Sequence, residues 1–308
     1  MVNLKLKELP LHEYLAPGHR LCAGCGEGVT IRQILKAFSE PPIVCNATSC
    51  LEVSTTPFPY TSWRVPWLHA AFECTAAVAA GVEAAQKALI RKGRKKKWDM
   101  VLALAGDGGT YDIGLQALSG ALERGHKFIY VCYTNDAYMN TGIQRSGATP
   151  KGAWTTTSPV GKVNPGKIEW QKDLMKIVVG HDIPYAATVS ASYPMDLQRK
   201  MRKAIDADGP AFILALTPCP RGWRTEPHLT IELGRIAVQT CIWPLYEVDN
   251  GKYRITVRPR RKLPVEYYLR PQGRFRHLFT PKLRQDIINE IQNHVDRKWD
   301  ELQKLEKL

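Results

Sequence analysis

Short apolar runs alternate with amphipathic helical stretches along most of this chain, and this alternation constrains the fold more than any other feature. A run as apolar as residues 100–105 (MVLALA) is typical of a strand that is buried on both faces. The strand-like runs are 43–47, 100–105, 128–132, 185–189 and 211–216. The helical stretches between and around them are 69–90, 112–123, 171–179 and 195–205. This order predicts an α/β fold, with a mostly parallel sheet flanked by helices.

The pattern changes twice, and the changes suggest where the domain ends. Residues 136–166 are rich in Thr, Gly, Pro and Ser, and a loop of this length in a compact domain is usually functional or disordered. After Pro220 the chain becomes rich in Pro and Arg, with one strand-like stretch at 253–257 and a charged helix at 281–305. We therefore predict a domain over residues 1–220 and a C-terminal extension over 221–308. The extension is expected to pack on that domain or on a partner subunit.

Composition narrows the class of protein. A hydrophobic content of 44% is ordinary for a folded protein and argues against global disorder. The net charge of +14 suits nucleic acid, an acidic membrane surface or an acidic protein, but the chain lacks a recognisable nucleic-acid-binding motif. Residues 1–18 show no signal-peptide pattern, and the weakly polar stretch 69–85 is interrupted by Glu73 and Glu83. We expect a cytoplasmic protein that binds neither nucleic acid nor membrane.

The strongest local motif is a glycine-rich segment that directly follows the apolar run 100–105. It contains Gly106, Asp107, Gly108 and Gly109, where glycines permit a tight turn and close approach to a phosphate. Asn135 lies 28 residues after Asp107, just past the next predicted strand. Both residues should therefore emerge at the carboxyl edge of adjacent parallel strands, where open α/β sheets bind ligands. A carboxylate and an amide placed there can hold Mg²⁺, which in turn can bind a diphosphate.

The eight cysteines indicate a second site. Cys22 and Cys25 form a CxxC in a glycine-rich loop before a helix that begins near Val29, while Cys50 and Cys219 each follow a predicted strand at the same sheet edge. By number, four thiolates suit zinc and a [4Fe–4S] cluster equally well. The other four cysteines are expected to act as small apolar residues: Cys45, Cys74, Cys132 and Cys241.

These motifs and their surroundings resemble a known family. The GDG motif followed by Asn is similar to the thiamine diphosphate motif, and residues 111–125 and 135–161 resemble the thiamine-binding part of pyruvate:ferredoxin oxidoreductases. The similarity covers nearly the whole chain and is to the separate β subunit of the multi-subunit form. It implies a [4Fe–4S] cluster on Cys22, Cys25, Cys50 and Cys219. It also implies Mg²⁺ on the Asp107 and Asn135 side chains and the Ala137 carbonyl.

The same resemblance implies further site residues. Asn140 matches a residue close to the thiazolium and substrate, which makes it the candidate catalytic residue. Glu27 matches a glutamate at the thiamine site, although a carboxylate at this place could equally serve only to favour a helix N-terminus. The implied set of thiamine diphosphate contacts is Glu27, Gly106, Asp107, Gly108, Gly109, Asn135, Ala137, Tyr138, Asn140 and Thr141.

In activity, the resemblance implies oxidative decarboxylation of pyruvate with coenzyme A, or the reverse reaction, with electrons passing to ferredoxin. It also implies partner subunits of the α, γ and δ types, because the second thiamine-binding module and the clustered CxxCxxC relay are missing from this sequence. Another 2-oxoacid, oxalate included, is the alternative substrate. Two rival classes are a non-redox thiamine enzyme and a zinc-stabilised nucleic-acid-binding protein. The first would not need the four cysteines, and the second would leave Asp107 and Asn135 without a role.

Overall fold

The structure is a computed structural model that describes residues 8–162 and 164–308. The expectation about the N-terminal segment therefore falls partly on residues 1–7, which lie outside the described part. Eight strands are found in these two ranges: β1 (Ile43–Ala47), β2 (Trp67–Ala70), β3 (Val101–Gly106), β4 (Ile129–Thr134), β5 (Tyr185–Ser190), β6 (Ala211–Leu216), β7 (Leu245–Asp249) and β8 (Lys252–Val257).

The helices surround this sheet and link its strands. The α-helices are α1 (Gly26–Leu35), α2 (Cys50–Thr55), α3 (Thr75–Arg91), α4 (Leu115–Glu123), α5 (Leu174–Val179), α6 (Pro194–Asp206), α7 (Pro220–Trp223), α8 (Thr230–Gln239), α9 (Glu266–Leu269) and α10 (Gln285–Leu305). A π-helix at Gly108–Asp112 and 3₁₀-helices at Pro227–Leu229 and Gly273–Leu278 complete the described elements.

All eight strands form one sheet in the order β2-β1-β3-β4-β6-β5-β7-β8. The pairs from β2 to β5 are parallel, and β7 and β8 are added in antiparallel orientation. The predicted fold class, a mostly parallel sheet flanked by helices, is confirmed. Because β1, β3, β4 and β6 are parallel neighbours, their carboxyl ends meet along one edge.

The sheet is buried on both faces, as the apolar runs predict. In β3, Leu102 and Leu104 pack in one core with helix α1, whereas Ala103 and Ala105 pack in another with α3 and α4. All four side chains are inaccessible to solvent. Burying a leucine side chain stabilises the folded state by about 2 kcal/mol, so these strands hold the sheet edge firmly in place.

One sequence prediction is wrong in part. The stretch 69–90 was expected to be a single helix, but its first residues belong to strand β2 and helix α3 begins only at Thr75. Residues 67–70 pair with 44–47 of β1, and His69 contacts the Thr48 hydroxyl at 2.6 Å. Pairing along a neighbouring strand here outweighs the local helical preference of an alanine-rich sequence.

The segment after residue 220 joins the main sheet. Strand β7 pairs with β5, and α10 packs with Ala153 and Leu216 in a third apolar core. The domain boundary at residue 220 stays a prediction, since contacts within one chain do not show where an independent unit ends. Among the described residues, no helix is both long and apolar enough to cross a bilayer.

Candidate thiamine diphosphate and iron–sulfur site

A cavity of about 130 Å³ opens at the carboxyl edge of β1, β3 and β4. It is lined by nine of the ten residues expected to contact thiamine diphosphate and by the expected cluster ligand Cys50. Those nine are Glu27, Gly106, Asp107, Gly108, Asn135, Ala137, Tyr138, Asn140 and Thr141. The tenth, Gly109, lies beside the cavity, where an added Cβ would stand 3.0 Å from the Phe72 carbonyl oxygen.

Asp107 and Asn135 meet at this edge because their strands are adjacent. Gly106 at the end of β3 is in register with Tyr133 of β4, so Asn135 lies only one residue further along its strand than Asp107 does. The backbone N–H of Asn135 donates to Asp107 Oδ1 over 3.4 Å. Both residues are at most 5% exposed. The chain brings together the pair that sequence spacing selected for a metal.

Asp107 is a buried carboxylate without a countercharge. Its hydrogen-bond donors are the Ser146 hydroxyl and the Asn135 backbone, and none of the lysine, arginine or histidine residues in the described ranges forms an ion pair with it. Burial raises the pKa of Asp107 well above its usual range, against the hydrogen bond from Ser146. An isolated buried charge is costly, and a bound cation would remove that cost.

Besides its backbone N–H, two further groups of Asn135 form hydrogen bonds, and one side-chain atom stays free. Its carbonyl oxygen accepts from Trp223 Nε1 at 2.8 Å, and its side-chain nitrogen donates to Glu27 Oε1 at 2.8 Å. Its Oδ1 is buried and accepts no hydrogen bond from the part of the chain that the structure describes. A buried amide oxygen without a donor is suited to a hard cation such as Mg²⁺. Together with Asp107, it makes a donor set that fits the metal.

Glu27 enters the same cavity from the first turn of helix α1. It is 2% exposed, and burial raises its pKa to about 7 although the Asn135 hydrogen bond lowers it. Its Oε2 is buried and has no hydrogen-bonding partner among the described residues. A role only at the helix terminus would not require burial in a cavity, so the position favours a contact with a ligand.

The glycines act here by leaving space, since none of them forms the tight turn that was expected. Strand β3 passes directly into the π-helix, and Asp107 has a right-handed helical backbone. A Cβ on Gly108 would lie 2.4 Å from the ring of Tyr138. That ring also donates its hydroxyl to the Gly108 carbonyl and to Asp112, over 3.3 and 3.2 Å. The close approach fixes Tyr138 in the cavity wall.

The loop after β4 carries the remaining expected cofactor contacts. Ala137 is buried, and Tyr138 pairs with Gln144 in an isolated β-bridge that folds the loop back on itself. Asn140 is exposed at the mouth of the cavity, where its Oδ1 lies 3.8 Å from the sulfur of Cys50. Thr141 donates to Gln144 at 2.6 Å. Asn140 and Cys50 therefore lie side by side in the lining of the cavity.

The CxxC loop lies against the segment that contains Cys219. The Cys25 N–H donates to the Cys22 carbonyl, and the Gly26 N–H donates to the Pro218 carbonyl, each over 3.0 Å. Gly24 has φ of +71°, and a Cβ there would lie 2.3 Å from the Pro227 carbonyl oxygen. Only glycine permits this conformation and this approach without strain. The backbone thus brings Cys22, Cys25 and Cys219 to one place.

Cys50, at the start of α2, lies near the other three expected cluster ligands. Burial raises its pKa first, and Glu27 and the thiols of Cys219, Cys25 and Cys22 raise it further. Burial likewise raises the pKa of Cys219 to about 11. Within residues 8–162 and 164–308, no three His, Cys, Asp or Glu side chains are close enough to hold a single metal ion.

The remaining cysteines lie elsewhere. Cys45, Cys132 and Cys241 are buried in apolar surroundings, as expected. Cys74 differs, because it is only half-buried and precedes helix α3 instead of lying inside it.

Three site residues were not selected from the sequence. Ser146 donates to Asp107, Trp223 donates to Asn135, and Ser49 hydrogen-bonds the hydroxyl of Tyr133 in the cavity wall at 2.6 Å. Ser146 lies in the Thr- and Gly-rich segment 136–166, whose composition did indicate a functional loop. Trp223 lies 88 residues beyond Asn135, so only the fold could reveal that contact.

Comparison with known proteins agrees with this geometry. Residues 47–215 match the family model of the thiamine pyrophosphate enzyme C-terminal TPP-binding domain. The solved structure of 2-oxoglutarate:ferredoxin oxidoreductase from Magnetococcus marinus superposes with a TM-score of 0.56 at 19% identity. That match covers 76% of this chain and 81% of the other, and at this identity it shows a shared fold.

Sequence relatives are much closer. Pyruvate synthase subunit PorB of Methanocaldococcus jannaschii is 53% identical, covering 94% of this chain and 97% of that protein. PorB of Thermotoga maritima is 51% identical, with coverage of 96% and 92%. The ketoisovalerate oxidoreductase subunit VorB of Pyrococcus abyssi is 46% identical, with coverage of 96% and 94%. The chain therefore belongs to the family of pyruvate synthase PorB subunits, among the 2-oxoacid:ferredoxin oxidoreductases.

Proposed function

We propose that this chain is the subunit of a pyruvate:ferredoxin oxidoreductase that binds thiamine diphosphate, Mg²⁺ and a [4Fe–4S] cluster. One observation carries the proposal: a single cavity is lined by the buried carboxylates of Asp107 and Glu27, by Asn135 and by the thiol of Cys50. The reaction converts pyruvate and coenzyme A to acetyl-coenzyme A and carbon dioxide. It releases two electrons and a proton, and the electrons pass to ferredoxin. The same apparatus can run in reverse.

Different residues at the carboxyl edge of the sheet would bind different parts of the coenzyme. Asp107, the Asn135 side chain and the Ala137 carbonyl would hold Mg²⁺, and this ion would bind the diphosphate. Gly106 and Gly108 leave room for phosphate oxygens close to the backbone. Tyr138 and Thr141 would contact the coenzyme from the loop after β4. Bound thiamine diphosphate supplies the carbon nucleophile that attacks the keto group, which is chemistry of the cofactor itself.

Asn140 is placed to act at the substrate. Its amide is exposed at the mouth of the cavity and lies beside Cys50. An amide there can orient the carboxylate or keto oxygen of a 2-oxoacid through a hydrogen bond. Because it also neighbours the cysteine set, the reacting centre would lie next to the cluster.

The thiols of Cys22, Cys25 and Cys219 lie near enough to Cys50 to raise its pKa, yet no three of these thiols in the described part of the chain are close enough to hold one metal ion, which favours a cluster over zinc. Zinc bonds to sulfur at about 2.3 Å, so four zinc-bound thiolates must lie nearly in contact with one another, whereas a [4Fe–4S] cluster holds its cysteines further apart. The cluster would accept electrons and pass them on through another chain. We infer that turnover requires the partner subunits, and that the chain alone has none.

The experiment is to purify the native complex and to assay it with ferredoxin or a viologen dye as acceptor. Iron, acid-labile sulfide and thiamine diphosphate should copurify, and pyruvate should be oxidised faster than 2-oxoisovalerate, 2-oxoglutarate or oxalate. A preference for another 2-oxoacid would change the proposed substrate but not the family. The similarity to a ketoisovalerate oxidoreductase subunit is the reason to include other 2-oxoacids. Zinc in place of iron, or turnover by the isolated chain, would contradict the proposal.

A further inference from the structure

A buried ion pair connects the C-terminal segment to the metal-binding end of β4. Arg274, in the 3₁₀-helix Gly273–Leu278, donates to Asp136 Oδ2 over 3.0 Å. Both residues are at most 4% exposed. Asp136 lies between Asn135 and Ala137, the two positions that would bind Mg²⁺ together with Asp107. Asp136 and Arg274 are not among the site residues that the family resemblance implies.

The backbone at Asp136 needs such support. Its φ is +69°, in the left-handed region that residues other than glycine seldom adopt. The conformation costs about 1 kcal/mol even for aspartate, which tolerates it better than most. This conformation turns the chain between Asn135 and Ala137. The orientation of the Asn135 side chain and of the Ala137 carbonyl, which would both bind Mg²⁺, therefore depends on it. The Arg274 bond and a Thr149 hydroxyl on the Asp136 carbonyl, at 2.6 Å, keep the turn in place.

A second contact runs from the same arginine through a tryptophan. The Arg274 guanidinium lies over the ring of Trp223, 4.1 Å from its centre, and Trp223 Nε1 donates to the Asn135 carbonyl. Arg274 is itself fixed by Gln272 Oε1 at 2.8 Å, and its own carbonyl accepts from the Trp154 N–H at 2.9 Å. The Arg274 side chain thus restrains Asn135 by two routes. One passes through the neighbouring residue Asp136, and the other passes through Trp223.

We propose that Arg274 is a positioning residue for Mg²⁺-thiamine diphosphate, and that it sets the geometry of Asn135 and Ala137 from the C-terminal segment. This inference rests on the proposed function. It gives residues 221–308 a part in cofactor binding that is separate from any contact with partner subunits. Residues that hold a metal ligand in place commonly contribute a factor of about 10 to 100 to metal affinity.

The test measures cofactor binding instead of turnover. The full complex is depleted of metal and cofactor, and Mn²⁺ binding in the presence of thiamine diphosphate is followed by electron paramagnetic resonance. We expect Arg274→Met to weaken this binding by about 10-fold or more, with the iron content unchanged. The matched control is Arg276→Met, which removes an exposed arginine two positions away and should bind as the wild type does.

A second variant covers the possibility that Arg274→Met does not fold, since it leaves a buried carboxylate unpaired. Arg274→Lys keeps the charge but loses the planar group over Trp223, and it should weaken binding by about 3-fold or more. Binding equal to the wild type in a folded Arg274→Met or Arg274→Lys complex would overturn the inference. Failure of the proposed function looks different, because the wild-type complex itself would then show no cofactor-dependent Mn²⁺ binding.

Discussion

The side-chain amide of Asn135 donates a hydrogen bond to Glu27 Oε1 at 2.8 Å, although 108 residues separate the two in the chain. Glu27 belongs to the first turn of α1, directly after the CxxC loop, and Asn135 follows β4 at the carboxyl edge of the sheet. The bond therefore ties the cysteine loop to the proposed Mg²⁺ ligands. A substitution of Glu27 should therefore affect both the cysteine loop and the proposed Mg²⁺ ligands.

Replacement of Glu27 by alanine tests this link. The variant removes the acceptor for the Asn135 side chain, so the amide can rotate away from the proposed Mg²⁺ site. We expect the affinity of the complex for thiamine diphosphate to fall about 10-fold, and less in Glu27→Gln, which keeps an oxygen acceptor. Cofactor retained after gel filtration is the measurement. Glu40→Gln, which alters an exposed glutamate paired with Lys97, serves as the control. Equal retention in the wild type and Glu27→Ala would contradict the link.

The Asp107→Asn variant removes the buried negative charge that would hold Mg²⁺. Without it the three proposed Mg²⁺ ligands are all neutral oxygen atoms, so Mg²⁺-dependent binding of thiamine diphosphate should fall by about 100-fold. Removing Mg²⁺ with a chelator should release cofactor from the wild-type complex in the same way. Isothermal titration with and without Mg²⁺ measures both effects. Asp208→Asn, at a fully exposed aspartate, should leave binding unchanged.

Cys219→Ser and Cys74→Ser form a matched pair for the cluster. Cys219 lies at the carboxyl edge with its sulfur accepting the Gly222 N–H, whereas Cys74 precedes α3 and is not in the expected ligand set. Loss of one thiolate of four should strip most of the iron and the visible absorption from the Cys219 variant. The Cys74 variant should keep both. Iron analysis decides, and equal iron content in the two variants would exclude Cys219 as a ligand.

Gly108→Ala tests the close packing of the cavity wall. The new methyl group would lie 2.4 Å from the Tyr138 ring, so this ring must move. We expect a loss of about 1–3 kcal/mol in stability together with weaker binding of thiamine diphosphate. Gly81→Ala is the control, since Gly81 lies in α3 with open space beside it among the described residues. That variant should gain about 0.5–1 kcal/mol. Thermal unfolding compares the two.

The sequence predicted the sheet, and the meeting of Asp107 and Asn135 at one of its edges, because both depend on local patterns. Apolar runs marked the buried strands, and a carboxylate and an amide after neighbouring strands marked Asp107 and Asn135. Long-range contacts could not be found in this way. Strand β2 forms through its pairing with β1, and the support of Asn135 by Trp223 and of Asp136 by Arg274 depends on how distant segments pack.

A pH experiment tests how α1 is anchored. Glu13 lies 2.7 Å from Arg32 and 2.8 Å from Lys36, both near the end of α1. The hydrogen bond from Arg32 lowers the pKa of Glu13 to about 2, against the effect of burial. Because this folded-state pKa is below the unfolded value of about 4.5, the stabilisation is complete above pH 4.5 and is lost as the pH falls toward 2. We expect the free energy of unfolding of the wild type to exceed that of Glu13→Gln by about 1 kcal/mol at pH 7. This difference should become smaller as the pH falls below about 4.5. Urea unfolding of both proteins across this pH range measures the difference in unfolding free energy. A difference that stays constant between pH 7 and 3 would show that the contacts of Glu13 do not anchor α1, the helix that carries Glu27.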